Sequence, residues 1–225
     1  TYGLEEFEAW FNEKIHGTFI EHGMLLNNGR DSLFVRVKKL APIELSVRDG
    51  RLVMKVPLRI KSTYYLRTKG LKLRNLVPIK TDVVLTFSSR VKLEKNWHIR
   101  TQTELEDVTW IKEPFARIMG IKFNLQEPLE KFIDAEKAVL VAKLDEKAYE
   151  TINLEKAITK VWKKIQEPKR ILKGAPSLWL KFQLTEIHGE DIRLDNSGLI
   201  NVDLMVTGRT YISTQPETLP FSTEV

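Results

Sequence analysis

Residues 128–165, PLEKFIDAEKAVLVAKLDEKAYETINLEKAITKVWKKI, form the longest stretch with helical periodicity, and strand-like sequence lies on both sides of it. Pro128 suits a first helical turn, and Leu129, Phe132, Ile133, Leu140, Leu144, Ala148, Tyr149 and Ile152 recur largely three or four apart. Asn153 is a candidate cap for a second piece, in which Leu154, Ala157, Ile158, Val161, Trp162 and Ile165 repeat the spacing until Pro168 stops it. At about 1.5 Å per residue an unbroken helix would be roughly 55 Å long. That is too long for a compact domain of 225 residues, so the spacing predicts a break near Asn153.

Upstream, Leu4, Phe7, Phe11 and Ile15 make one stripe of a short amphipathic helix with Trp10 beside it, ended by His16 and Gly17. Residues 18–31 read as irregular. Leu33, Val35 and Val37 then alternate with polar neighbours as a half-buried strand. Ile43, Leu45 and Val47 form the next, Asp49 and Gly50 a hairpin turn, and Leu52, Met54, Val56, Leu58 and Ile60 the return. Pro57 cannot donate to a ladder and implies an edge strand or a bulge. A basic connection at 67–75 leads to Val83, Leu85, Phe87, Val91 and Leu93. After a turn at Glu94, Lys95 and Asn96 the chain returns through Trp97, Ile99, Thr101, Thr103 and Leu105. The apolar face shifts at Val108 and Trp110, which predicts a bulge near Asp107. Strands of about 11 residues exceed the usual five or six. Carrying one apolar face, they imply a strongly curled antiparallel sheet.

Beyond the long helix, Leu178, Leu180, Phe182 and Leu184 face inward with Trp179, Lys181 and Gln183 outward. Ile192 and Leu194 precede a turn at Asn196, Ser197 and Gly198, and Ile200, Val202, Leu204 and Val206 follow. An internal repeat runs through this order. Ser32, Leu33, Phe34, Val35, Arg36 matches Ser177, Leu178, Trp179, Leu180, Lys181 in character, and Asp49, Gly50, Arg51, Leu52 falls where Ser197, Gly198, Leu199, Ile200 falls. The reading is one domain over 1–214, with repeat halves at about 4–65 and 154–212, a long hairpin at 80–111 between them, and a tail at 215–225.

The chemistry suggested by residue types is sparse. There are no cysteines, hence no disulfide, zinc thiolate or thiol nucleophile. No apolar run approaches the roughly 20 residues that span a bilayer. His16, His22, His98 and His188 stand apart from one another and from carboxylates at ligand spacing, so no metal site is expected. Glu104 and Glu106 share a strand face with His98, Arg100 and Gln102, a charged outer surface and not a glycosidase pair. No nucleophile elbow, phosphate loop or dinucleotide fingerprint occurs, so neither enzymatic activity nor a cofactor is expected. The net charge of +6 favours anionic surroundings. Nucleic acid is not expected as a partner, because the basic strand positions Arg36, Lys38, Lys55, Arg59 and Lys61 have only Tyr64 and Tyr65 as nearby aromatics.

Phe7, Trp10 and Phe11, then Trp97, then Val108, Thr109, Trp110, then Val161, Trp162 before Pro168, and above all Ser177, Leu178, Trp179, Leu180, give the chain an order of motifs that resembles the bacterial family of domain of unknown function 4403. The resemblance implies one half, the amino-terminal one, of a longer protein of the cell envelope, periplasmic or a membrane-anchored lipoprotein, whose signal and anchor would lie outside this chain. It implies no catalytic residues. Separately, long helices laid into long curled strands in approximate duplication look like the tubular lipid-binding architecture of the bactericidal permeability-increasing type.

The fold expected is therefore α+β, with long amphipathic helices packed in a strongly curled antiparallel sheet. One helix presents an apolar stripe only about 100° wide, less than such a sheet encloses, so an apolar groove is expected between the long helix and the strand at 83–93. Its candidate lining is Phe7, Phe11, Val83, Leu85, Phe87, Phe132, Leu140 and Leu144. The expected partners are a lipid or apolar small molecule, and a membrane surface or envelope protein. The alternative is a structural or interaction module of the envelope with a packed core and no ligand.

Overall fold

The computed structural model describes residues 2–15, 17–26, 31–65, 76–118 and 121–216. Its elements follow in the order β1 (Tyr2–Gly3), α1 (Leu4–Lys14), β2 (Thr18–Leu26), β3 (Asp31–Lys39), β4 (Glu44–Arg48), β5 (Arg51–Tyr65), β6 (Leu76–Leu93), β7 (Ile99–Trp110), β8 (Phe115–Ile118), β9 (Ile121–Asn124), α2 (Gln126–Thr151), α3 (Glu155–Gln166), β10 (Lys169–Leu172), β11 (Leu178–Leu194) and β12 (Leu199–Ser213). The fold is α+β. The long strands are antiparallel and curl around the helices.

The expected long helix is two helices, broken where predicted. Leu129, Phe132, Ile133, Leu140, Leu144, Ala148 and Ile152 are buried along α2, and Ile158 and Trp162 along α3. The break at 152–154 is held by the start of the neighbouring strand. Ile99 N–H donates to Ile152 O (3.1 Å) and Leu154 N–H to Trp97 O (2.9 Å). Asn153 Oδ1 accepts the Glu155 N–H at 2.7 Å. Peptide groups freed at the two helix ends thus find partners across the gap, which a continuous helix would deny to Trp97 and Ile99.

The first sheet runs β2-β3-β5-β6-β7, with β4 also on β5. Leu33, Val35 and Val37 on β3, Leu52 to Ile60 at alternate positions on β5, and Val83, Leu85 and Phe87 on β6 all point into the core. Asp49 (φ 53°) and Gly50 (φ 70°) make the β4–β5 turn with both central residues in the left-handed region. The shift near Asp107 is present. Asp107 pairs with Thr86 while Leu105 pairs with Phe87, leaving Glu106 as the extra residue.

Three expectations are corrected here. Residues 18–26 are not irregular: β2 pairs along β3 from Thr18↔Lys38 to Leu26↔Asp31. Residues 27–30 lie outside the described residues, as does the connection at 67–75. Pro57 is on neither an edge strand nor a bulge. On one side it pairs with Val84 of β6. On the other, β3 pairing ends at Leu58 and β4 pairing begins at Lys55, so the missing N–H faces a gap between two strands, where Leu40 N–H reaches Pro57 O (2.9 Å). Trp97 belongs to the turn, with φ of 64°, and the strand starts at Ile99.

The second sheet runs β1-β12-β11-β10. Here β11 is one strand of 17 residues where the sequence suggested two runs. Register shifts around Thr185 and Glu190 move the inward side from Leu184 to Ile187 and then Ile192. The expected alternation from Leu178 to Leu184 also fails, ahead of those shifts and in regular register with β12: Lys181 is buried, while Leu178, Leu180 and Phe182 are half-buried. The short strands β1, β10 and the β8–β9 hairpin were not anticipated. A Cβ at Gly189 would meet Leu93 Cδ2 at 2.3 Å and a Trp97 ring carbon at 3.2 Å. That close approach is where β11 lies against the β6–β7 turn.

In each of the segments 4–65 and 154–212 a helix is followed by strands of a single sheet. The helix α1 is followed by β2, β3, β4 and β5, all in one sheet, and α3 by β10, β11 and β12, neighbours in the other. Gly50 and Gly198 (φ 78°) turn the last hairpin of each half. Residues from all three helices and both sheets join one hydrophobic core.

Candidate functional site

The eight candidate lining residues come together, but in a closed place. Phe7 and Phe11 from α1, Val83, Leu85 and Phe87 from β6, and Phe132, Leu140 and Leu144 from α2 belong to one core cluster, none more than 4% exposed. Leu144 alone of the eight borders either concavity described below.

The cleft that Leu144 borders lies where α1 hands over to β2 against the carboxy-terminal half of α2. It has a volume of about 260 Å³ and is lined by Lys14, Ile15, Thr18, Phe19, Lys143, Leu144, Glu146 and Lys147. Local chain chemistry builds it. Ile15 leaves the helix in an extended conformation (φ −96°, ψ 95°), its N–H still bonded to Phe11 O (2.8 Å). Gly17 (φ 87°) turns the chain into β2. Ile15 and Leu144, 7% and 3% exposed, form an apolar floor with half-buried Phe19 as a wall.

The rim is cationic. Lys143 Nζ donates to Phe19 O at 2.7 Å, which ties α2 to β2 and holds the ammonium at the mouth. Lys147 Nζ donates to Glu150 at 2.5 Å, and this bond holds the ammonium pKa above its ordinary value. Lys14 sits 3.6 Å from Glu13. Apolar floor and cationic rim together suit a molecule with a hydrocarbon end and an anionic end. The volume is just under the roughly 300–1,000 Å³ of small-molecule sites. That size matches the end of one hydrocarbon chain better than the body of a two-chain lipid.

A second concavity of about 390 Å³ lies on the first sheet, lined by Phe34, Arg36, Lys61, Ser62, Thr63, Ile79 and Lys80. Arg36, Lys61 and Lys80 are direct cross-strand neighbours. Arg36 is paired with Glu21. The concavity's apolar lining is Phe34 and Ile79, and the remaining five residues are polar or cationic.

Polar groups where α2 meets β6 and β7 satisfy one another. Asp145 accepts from Thr101 Oγ1 (2.6 Å) and Thr103 Oγ1 (2.5 Å), and Thr103 shares a 2.6 Å contact with Ser89 Oγ. His22 pairs with Glu136 at 3.0 Å, His98 contacts Tyr149 O at 2.8 Å, and His188 lies 3.4 Å from Glu186. Among the described residues no group of three or more His, Cys, Asp or Glu is placed to hold a metal. His16 lies outside them.

Sequence reasoning found Ile15 and Leu144 as stripe residues and missed Thr18, Phe19 and the lysines. The signal available was Lys143 and Lys147, four apart and flanking Leu144 at the edge of the apolar stripe.

The sequence pattern of a family described as Domain of unknown function (DUF4403) matches residues 1–223. No curated protein matches the sequence. Among solved structures, one titled "Crystal structure of lipopolysaccharide binding protein" is similar at 14% identity and a TM-score of 0.32, covering 99% of this chain and 49% of that one. The chain thus spans about half the length of that protein.

Proposed function

We propose that this chain, which belongs to the DUF4403 family, binds an amphipathic, anionic lipid or similar apolar ligand without transforming it. The observation that carries the reading is the cleft of Ile15, Phe19 and Leu144 under the ammonium groups of Lys14, Lys143 and Lys147. An apolar floor gains from excluding water from a hydrocarbon end, and the lysines attract an acidic head. We place this binding in the bacterial cell envelope, a setting that rests on the family resemblance.

A second reading, a packed structural or protein-interaction module of the envelope, is favoured by the burial of Phe7, Phe11, Phe87 and Phe132 in the closed core. Titration with a fluorescent, dansyl-labelled fatty acid separates the two. Wild-type protein is expected to bind it. Thr18→Trp, which fills the mouth from an exposed strand start, is expected to weaken binding about tenfold or more, and Lys143→Glu to weaken the acid but not its neutral methyl ester. Absent or unaltered binding favours the packed module.

A further inference from the structure

The segment from α3 through β10 carries most of the protein's charge imbalance. Residues 155–173 hold seven Lys or Arg against two Glu, a net +5 of the whole chain's +6. Ile158 and Trp162 bury one face of α3. At 3.6 residues per turn, Lys156, Lys160, Lys163 and Lys164 fall opposite them, within roughly a third of the helix circumference. All four are exposed. Lys169, Arg170 and Lys173 follow on and beside β10, the edge strand of its sheet.

These lysines differ from those on the neighbouring helix. On α2, Lys131, Lys137 and Lys147 have carboxylates at 2.6, 3.6 and 2.5 Å. Among the described residues, Lys156, Lys160, Lys163, Lys164, Lys169 and Lys173 form no ion pair, and Arg170 leans instead toward the Trp179 ring at 5.9 Å and Ser177 Oγ at 2.5 Å. An unpaired block of one sign on one side of the molecule sets up a field for an extended anionic partner.

Exposed aliphatic side chains border the block. Val161 is 40% exposed, Ile171 52%, Leu172 51% and Ile212 65%. Ile212 stands in one cross-strand row with Leu180 and Lys169. Edge-strand lysines ordinarily deter strand pairing, which accounts for Lys169 and Lys173 but not for the four on α3. A single-stranded nucleic-acid surface would interleave exposed aromatics on which bases stack, whereas Trp179 beside Arg170 is half-buried. Exposed branched aliphatics beside lysines instead match a bilayer interface, where apolar side chains enter the acyl boundary and ammonium groups meet anionic headgroups.

We propose that α3 and β10 form a docking surface for an anionic lipid bilayer, distinct from the ligand cleft and independent of whether that cleft is occupied. The test is flotation of the whole chain with vesicles of phosphatidylcholine alone or with one quarter phosphatidylglycerol, at low and high salt. Each lysine near such a surface contributes about fivefold in partitioning. The quadruple variant Lys156→Gln, Lys160→Gln, Lys163→Gln, Lys164→Gln is expected to lose at least a hundredfold in binding to anionic vesicles. A control with the same charge loss elsewhere, Lys55→Gln, Lys61→Gln, Lys80→Gln, Lys92→Gln, is expected to lose less than tenfold. Ile171→Ser with Leu172→Ser is expected to remove the binding that survives high salt. The proposal is overturned if anionic vesicles do not bind the wild type, if the control loses as much as the α3 variant, or if single-stranded or duplex DNA binds more tightly than the vesicles at the same salt.

Discussion

Asn12 and Ile43 exchange two hydrogen bonds: the Ile43 N–H donates to Asn12 Oδ1 at 2.7 Å, and Asn12 Nδ2 donates to Ile43 O at 2.9 Å. One side-chain amide on α1 thus satisfies both peptide groups of a residue 31 positions away, whose own side chain is fully buried. Lys39 Nζ adds a third contact to Asn12 Oδ1 at 2.7 Å. The helix is fastened to the approach to β4 by this amide as well as by Phe7 and Phe11.

Asn12→Ala should therefore cost about 2 kcal/mol, roughly two partly buried hydrogen bonds. Asn12→Asp keeps the acceptor for Ile43 N–H and Lys39 but loses the donor, and is expected to cost less. Urea melts of the two variants check the order. Equal stability of Asn12→Ala and wild type would contradict the role given to the clamp.

Ser62 gives a change of opposite sign. Its hydroxyl is buried on the inner face of β5 with no hydrogen-bond partner, and its cross-strand neighbours are Val35 and Ile79. A buried unpaired hydroxyl costs about 1–3 kcal/mol, and Val is at home in a strand. Ser62→Val is expected to raise stability by about 1 kcal/mol, seen as a higher midpoint in denaturant. A lower midpoint would show that the site has no room for the added methyl group or that the hydroxyl is satisfied.

Much of this fold was legible because burial imposes a period. The stripe from Leu129 through Trp162, the alternation of Leu33, Val35, Val37 and of Val83, Leu85, Phe87, and the Asp49-Gly50 turn all report inner faces or left-handed backbone directly. Legibility failed where pairing overrode pattern. The strand at Thr18 carries no clean alternation and exists because β3 supplies its ladder. Along β11 two register shifts scramble the period beyond Leu184, and before them Lys181 is buried where strict alternation turns it outward. The candidate site was hard to read for a different reason. Sequence patterns identify which side chains turn inward, and Phe87 or Phe132 turned inward is the signature of a filled core and of a groove alike. Only the meeting of α1, β2 and α2 shows that the opening is at Ile15, Phe19 and Leu144.

The Arg59–Asp82 pair supplies a pH dependence. The two are cross-strand partners joined by two bonds, Nε to Oδ1 at 2.8 Å and Nη2 to Oδ2 at 3.0 Å. The Arg59 hydrogen bond, against some desolvation, holds the Asp82 carboxyl below its usual range. A depressed carboxyl stabilises the fold at pH values above its unfolded pKa of about 3.9, and that contribution is lost as pH falls through the lower folded value. Wild type should therefore exceed Asp82→Asn in stability near neutrality, and the gap should close below about pH 4. Melting temperatures from pH 7 to pH 2.5 check this, and a gap constant across that range would remove the linkage.

The central claim is that an amphipathic ligand sits in the cleft between α1, β2 and α2, outside the closed core. Paramagnetic broadening of the amide spectrum by a spin-labelled fatty acid tests it most directly. The account predicts selective loss of the signals of Ile15, Thr18, Phe19, Lys143 and Leu144, with Val83, Leu85 and Phe87 unaffected. Broadening centred on Val83, Leu85 and Phe87, or none at all at saturating fatty acid, would contradict it.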